Sequence, residues 1–453
     1  MTQNDLLKFV TNNFEDAICV WWFNVGLDID WDRQKASFFR RVESSDKAAI
    51  FGMEQIMLML ARENDYVIMR RRPDESICRN IKETRKGLPN ILIPSNDGIE
   101  QNSISELILS DNKLLAALGE IAKKSKTYLV PYAVTKHEAK IAELTGAELF
   151  GPPYELASWV NNKITARNIS KDLNFDTAFG MECHTKKDLC EAYDMIQGKY
   201  PDTMMVLKEE YGASGKGLFF IKGEQDWNMA MHRAGKLEKS GTKFNIILEK
   251  WHSVKENINY QLIISDNTHS QKNYLFCLSK QDVNDGIYKG SILVKNTAQI
   301  YALYEPYTKL LGDYLYDKGY RGICNVDSII TEDGLLVPII EINGRLSLST
   351  YISCTTDMFC QDMTVASAYY DVDSKIALSE INDTASQYKY NEKSQTGTLI
   401  YSFSAGIRRS RLFCLFVYPS EDDILKAKLE FENILKNLGL KYGQKGQGEL
   451  HGK

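Results

Sequence analysis

The sequence predicts a multidomain chain that is α/β at its N-terminal end and α+β, largely antiparallel, through its middle. Three observations carry this expectation. Residues 1–155 alternate short apolar runs with helical periodicity, as a mostly parallel sheet covered by helices requires. Between Met204 and Asn343 strand-like runs follow one another with few helices between them. At 453 residues the chain is also too long for one core, since roughly 150 residues per domain implies about two to four.

In the N-terminal region, Ala17 to Phe23, Tyr66 to Arg70, Ile91 to Ile93 and Thr127 to Val130 read as strands. Ala48 to Arg62, Ser105 to Lys123 and Thr135 to Leu144 read as helices. Gly151-Pro152-Pro153 breaks the pattern, and a helix capped by Ser158 is expected to run through Lys171. Thr185 caps a helix ending near Gly198, and Asp226 caps another that fades by Gly241. Met204 to Glu209 and Leu218 to Lys222 form a hairpin around a glycine-rich loop. Asn245 to Glu249, Tyr260 to Ser265, Tyr274 to Ser279, Cys324 to Thr331 and Leu335 to Asn343 supply further strands. Asn382 to Ser394 reads as a linker. Gly397 to Ala405, Leu412 to Tyr418 and a Ser420-capped helix to Leu438 then form a small C-terminal β-β-α extension, ahead of a disordered GQKGQGELHGK. The expected divisions are 1–155, 156–255, 256–375 and 376–453.

Composition narrows the function. Apolar residues make up 43% and charged residues 25%, which excludes disordered and fibrous classes. Lys and Arg number 55 against 60 Asp and Glu, a formal charge of −5, so a broad nucleic-acid-binding surface is not expected. The start lacks a secretory signal pattern and no apolar run approaches the roughly 20 residues a membrane helix needs, so the expectation is a cytoplasmic protein without a membrane partner. Nine scattered cysteines without a C-x-x-C pair read as reduced thiols, and the six histidines show no zinc spacing.

Two segments carry chemistry. Gly212-Ala213-Ser214-Gly215-Lys216-Gly217 is not a P-loop: Glu210 stands where the first Gly belongs, Gly217 replaces the metal-binding hydroxyl, and the loop joins two strands. Its glycines still let backbone amides approach phosphate oxygens while Lys216 adds charge, so the loop is either a nucleotide lid or a mobile hairpin. Downstream, Glu332-Asp333-Gly334 suits a three-residue hairpin turn. Residue 331 then pairs with 335, which sets Asn325 opposite Glu341, with Asp327 a diagonal neighbour on the same face. Period two adds Asn343 and Arg345 to that face. Acids and an amide on one strand face make a poor core and a good Mg²⁺ site. Pro338 fits such a strand badly.

In this order, a lysine on a helix, a lysine before a glycine-rich hairpin, an acid-Lys-aromatic hinge and Asp…Glu-x-Asn-x-Arg, the segment from Lys163 to Arg345 resembles the ATP-grasp superfamily of carboxylate ligases. The resemblance implies an ATP-grasp fold behind a pre-ATP-grasp α/β domain, with ATP and Mg²⁺ as cofactors. It implies that Lys163 contacts phosphates, that Lys208 touches the α-phosphate and adenine side, and that Gly212, Ser214, Gly215, Lys216 and Gly217 close over the β- and γ-phosphates. Glu249 with the backbone of Lys250 and Trp251 would hold adenine, and Glu256 the ribose. Asp327, Glu341 and Asn343 match the metal ligands, and Arg345 matches the arginine that steadies the reacting phosphoryl oxygens. Two positions depart from the family pattern: Gly344 stands where many members have proline, and Asn325 where several have arginine. The layout resembles amino-acid ligases of antibiotic biosynthesis, such as the pheganomycin-type peptide ligases and the butirosin-pathway enzyme that loads glutamate on a carrier protein. The implied partners are an amino acid or other small carboxylate and, as acceptor, an acyl carrier protein or an amine. A kinase and a non-catalytic ATP-binding module are the alternatives.

Arg70-Arg71-Arg72 and Arg408, Arg409 and Arg411 read as solvated runs or a carrier-docking surface, and Asp282 to Gly290 as a surface or active-site loop. Tyr301, Tyr304, Tyr307 and Tyr314, near helical spacing, read as core.

Overall fold

The computed structural model describes residues 3–25, 31, 38, 52–85, 87–95, 102–212, 217–266, 272–284, 287–295, 299–359, 362–406 and 409–438. The residues between and beyond these, including the expected tail, Arg408 and residues 48–51 of an expected helix, lie outside the described residues.

The N-terminal strands β1 (Ile18–Trp22), β2 (Tyr66–Ile68), β3 (Asn90–Leu92), β4 (Thr127–Pro131) and β5 (Glu148–Leu149) form a parallel sheet in the order β3-β2-β1-β4-β5. Both faces of β1 are buried, Val20 and Trp22 under the helices of 104–145 and Trp21 on the other side, which is why it reads as one unbroken apolar run. The helix expected over Ser105 to Lys123 is two, Ile104–Ser110 and Asn112–Lys124. Asp111 ends the first and caps the second; amides of Ser95, Leu114 and Lys113 hold its carboxyl down at about 2. The helix expected from Ala48 is, over Gly52–Met59, a 3₁₀ helix. The cap expected at Ser158 is instead Asn162, because a helix at Tyr154–Val160 ends before a second one, Lys163–Asp172, begins. Likewise Gly223, not Asp226, precedes the helix Glu224–Lys239.

A small antiparallel sheet follows, β6 (Gly180–Cys183), β7 (Met205–Glu209), β8 (Leu218–Ile221) and β9 (Ile246–Lys250), in the order β6-β9-β7-β8. With helices Lys186–Lys199 and Glu224–Lys239 it encloses its own core around Leu189, Ile196, Leu207 and Leu248.

The large sheet has eight strands: β10 (Val254–Ile264), β11 (Asn273–Asn284), β12 (Ile287–Leu293), β13 (Gly322–Thr331), β14 (Leu336–Asn343), β15 (Thr364–Asp373), β16 (Gly397–Ser404) and β17 (Arg409–Tyr418), in the order β14-β13-β10-β11-β12-β15-β17-β16. The segment Asp282 to Gly290 is therefore mostly strand, not a loop. Helix Gln299–Asp317 packs Tyr304, Leu311 and Leu315 on β10 and β13, so Tyr304 is core as expected. The C-terminal β-β-α unit forms, with helix Glu421–Asn437 capped by Ser420, but its strands extend the large sheet through ten β15–β17 residue pairs. The expected linker holds a helix, Leu378–Thr384, and a 3₁₀ turn. Gln55 of the 3₁₀ helix exchanges both side-chain hydrogen bonds with the backbone of Phe403, tying the N-terminal region to β16.

Candidate active site

A cleft of about 690 Å³ runs between the small and large sheets, in the size range of nucleotide and ligand sites. Four cations (Lys163, Lys208, Lys250, Arg345) and three acids (Glu249, Asp327, Glu341) line it.

The carboxylate pair sits on β13 and β14. Thr331 bonds Leu335 across the turn and Gly334 takes φ 85°, as expected. The register then slips at Pro338: Ile329 faces Val337, whereas Asp327 faces Glu341 and Asn325 faces Asn343. Two extra residues on β14 are absorbed where a proline cannot donate to the ladder. The expected diagonal pair is thus a directly opposed pair, at roughly 4.5–5.5 Å between Cβ atoms.

Asp327 accepts amide hydrogens from Asn259 (2.9 Å), Gln281 (3.1 Å) and Asn343 (3.2 Å). Burial, and then the charge of Glu341, pushes its carboxyl up to about 6. An opposed pair of carboxylates, with Asp327 held back from ionising, fits a divalent cation, as does its hard-oxygen chemistry. Asn343 fits less directly, because its Oδ1 accepts from Arg345 at 2.6 Å and would have to turn to reach a metal. Among the described residues no three His, Cys, Asp or Glu side chains cluster as a metal site, so substrate oxygens and water would complete the shell.

Arg345 also donates to the Tyr132 hydroxyl at 2.7 Å, with its guanidinium 5.0 Å from that ring. Tyr132 follows β4 of the parallel sheet and packs on Phe23 after β1, so the two central strands deliver an aromatic support for Arg345. Asn325, buried, bonds the Arg345 carbonyl and Ser347, so it supports the Arg345 backbone from within the sheet. A Cβ on Gly344 would lie 2.2 Å from Val160 Cγ2, and this close approach explains why a glycine stands there.

Lys163 begins helix Lys163–Asp172; its Nζ donates to the Gly212 carbonyl at 2.7 Å and lies 3.4 Å from Glu341. It therefore links the base of the glycine loop to the carboxylate pair. Gly212 and Gly217 both take positive φ, and Gly217 returns the chain to β8, its carbonyl accepting from Glu209. Ala213, Ser214, Gly215 and Lys216 lie outside the described residues.

Elsewhere in the cleft Lys208 on β7 reaches diagonally across to Glu249 on β9, at 2.6 Å. The amides of Lys250 and Trp251 are bonded to the carbonyls of Phe179 and Met204, so backbone contacts from these two cleft residues to adenine would fall to their carbonyls. Glu256 is corrected: it is not in the cleft wall, and its charge bears on buried Tyr304, on the opposite side of β10. Val254, Asn257 and Asn259 are the β10 residues that line the cleft, and the two asparagines are its polar contribution. With Gln261 they alternate with buried Ile258, Tyr260 and Leu262, a period-two polar stripe that was open to reading in the sequence. His252 also lines the cleft, and burial, then Lys250, pushes its pKa down. Arg167, Gln281 and Tyr132 carry no motif that marks them. Within the basic runs, Arg70 is buried against Glu54 at 2.6 Å and Arg411 pairs with Asp371 at 2.8 Å, whereas Arg71, Arg72 and Arg409 are exposed.

Two antiparallel sheets gripping a cleft behind a parallel α/β sheet define the ATP-grasp class. Residues 54–147 match the Pre ATP-grasp domain, and residues 162–369 match the carbamoyl-phosphate synthase L chain ATP binding domain. These matches and the sheet arrangement give the chain the ATP-grasp fold behind a pre-ATP-grasp domain. The chain is 27% identical over 341 residues to the [butirosin acyl-carrier protein]–L-glutamate ligase of Niallia circulans, covering 74% of this chain and 73% of that one. Its fold is similar to N5-carboxyaminoimidazole ribonucleotide synthetase in complex with ADP (TM-score 0.55, 14% identity, 93% and 97% of the two chains). It is also similar to the biotin carboxylase domain of Hydrogenobacter thermophilus 2-oxoglutarate carboxylase with MgADP and bicarbonate (TM-score 0.53, 12% identity, 94% and 90%). Among the described residues no helix is long and apolar enough to cross a membrane.

Proposed function

We propose that this chain uses ATP to activate the carboxylate of an amino acid, glutamate in the first instance, and passes the acyl group to the thiol of an acyl carrier protein or to an amine. The observation that carries this reading is the opposed pair Asp327 and Glu341, set between Lys163 and Arg345 in one cleft. The 27% identical relative, a glutamate ligase acting on a carrier protein, supports the choice of substrate and acceptor.

In the first step a substrate carboxylate oxygen attacks the γ-phosphorus of ATP, the bond to the bridging oxygen breaks, and ADP leaves. In the second a thiol or amine attacks the acyl carbon, phosphate departs, and the nucleophile loses its proton. The enzyme contributes position and charge. Lys163 and Lys208 would neutralise phosphate oxygens, and Arg345, braced by Tyr132 and Asn343, would hold the reacting oxygens in line. Asp327 and Glu341 would hold Mg²⁺, which supplies further charge neutralisation when bound. The loop of residues 212–217 would exclude water that otherwise hydrolyses the acyl phosphate.

The test is ADP release across the twenty amino acids with hydroxylamine as trapping nucleophile, which reports acyl phosphate whatever the natural acceptor. Hydroxamate formed with one or a few amino acids supports the reading, and adding a carrier protein or amine then identifies the acceptor. ADP formed with a stable phosphate ester would make it a kinase, and no turnover with any amino acid and acceptor would leave a nucleotide-binding module.

A further inference from the structure

Glu249 is held by two cations, and only one of them can leave. Its Oε1 takes Arg167 Nη1 at 2.7 Å, and its Oε2 lies 2.6 Å from Lys208 Nζ. All three side chains are nearly enclosed, 7% exposed for Arg167 and Glu249 and 11% for Lys208. Arg167 is anchored by two further hydrogen bonds, to the carbonyls of Ala178 (2.9 Å) and Gly180 (2.5 Å). Those bonds tie helix Lys163–Asp172 to the approach of β6 and fix the guanidinium in place. Lys208, by contrast, has Glu249 as its only hydrogen-bond or ion-pair partner among the described residues, and it lines both the main cleft and a crevice of about 10 Å³ behind it. That crevice is too small for a phosphate, so an anion must meet Lys208 from the cleft side.

Two cations around one carboxylate leave the cluster with a net charge of +1. A lone Lys208–Glu249 pair would bind an incoming phosphate poorly, because turning the lysine away would strand an enclosed carboxylate. With Arg167 fixed on the other oxygen, the carboxylate keeps a partner whichever way Lys208 points.

We infer that Arg167 is a positioning residue for nucleotide binding: it holds Glu249 so that Lys208 can exchange that carboxylate for a phosphate oxygen. Glu249 acts here as a counter-ion rather than a contact to the base. This rests on the reading of the cleft as an ATP site.

The test is calorimetric titration with a non-hydrolysable ATP analogue and Mg²⁺, together with steady-state ADP release. Arg167→Met should weaken analogue binding by on the order of tenfold or more, while kcat at saturating ATP stays within about threefold. Arg167→Lys should recover part of the loss. Glu249→Gln placed in the Arg167→Met protein should restore binding, because a neutral amide no longer competes for Lys208. A purely structural Arg167 would lower kcat and thermal stability together and would not be rescued by Glu249→Gln, and that result overturns the inference. If Arg167→Met does not fold, Glu249→Gln alone decides: binding tighter than wild type supports the inference, and tenfold weaker binding overturns it. A wild-type protein that binds no analogue sinks the nucleotide-site reading itself, whereas wild-type binding matched by Arg167→Met sinks only the role of Arg167.

Discussion

Replacing Asp327 by Asn should make the nucleotide-free protein more stable above pH 6 while nearly abolishing ADP formation. Burial, then the neighbouring charge of Glu341, raises this carboxyl from its ordinary 3.8 to about 6. A carboxyl raised on folding lends stability below its unfolded pKa and loses it as pH climbs through the folded value, so the penalty is complete above about pH 6. A shift of about two units is worth roughly 3 kcal/mol, and water in the cleft reduces it. The Asn variant keeps an oxygen for Asn259 and Gln281, but its amide nitrogen then meets the Asn343 amide, a mismatch of about 1 kcal/mol until Asn343 turns. The net gain is about 1–2 kcal/mol, a rise of a few degrees in Tm. Thermal unfolding of both proteins without Mg²⁺, near pH 8 and near pH 5, measures it: the gain should be largest at the higher pH and shrink as acid neutralises the wild-type site. Equal differences at both pH values, or a variant that releases ADP at the wild-type rate, would refute the account of the opposed carboxylates.

Glu341→Gln should lower turnover by on the order of 10²-fold at saturating Mg²⁺ while circular dichroism stays unchanged; wild-type kcat would remove Glu341 from the site. Lys208→Ala should weaken titrated binding of an ATP analogue more than it lowers Tm, and unchanged affinity would move the phosphates elsewhere. Tyr132→Phe deletes the hydroxyl that accepts from Arg345 but keeps the ring, so kcat should fall about tenfold with the KM for ATP unchanged; a rise in KM alone would contradict a role confined to the reacting oxygens. Hydrogen exchange across residues 212–217 should slow when an ATP analogue and Mg²⁺ are added, and equal protection with and without ligand would argue that the hairpin is structural.

The strands β13 and β14 and the Asp…Glu-x-Asn-x-Arg face were legible because period two survives there even where the ends are misjudged, whereas β6, β12 and β15 were not expected. What the sequence hid is register. The turn at Glu332 to Gly334 set the pairing correctly as far as Ile329, and a two-residue slip at Pro338 then brought Glu341 opposite Asp327. Glu256 was assigned from the resemblance alone; in β10 it alternates with Asn257 and Asn259, which take the cleft face. Arg167 lay one helical turn beyond Lys163, in plain view, but nothing local says that its partner is 82 residues away on β9. Long-range pairing also explains the C-terminal unit. Its strands look like an appendage because the chain before them is polar, and only β15 shows that they continue a sheet.

One apolar cluster reaches from Leu6 in the N-terminal helix Gln3–Val10 and Trp21 in β1 to Phe416, Phe431 and Leu435 near the end of the chain. A chain emerging from the ribosome therefore presents Met57, Met69 and their neighbours long before the residues that cover them have been made. The small sheet, with its separate core, can close as soon as Ile246 to Lys250 is out. Synthesis thus completes the small sheet well before the body, and chains cut short before β17 should be cleared by proteolysis or recovered as aggregates rather than as a folded enzyme lacking a tail.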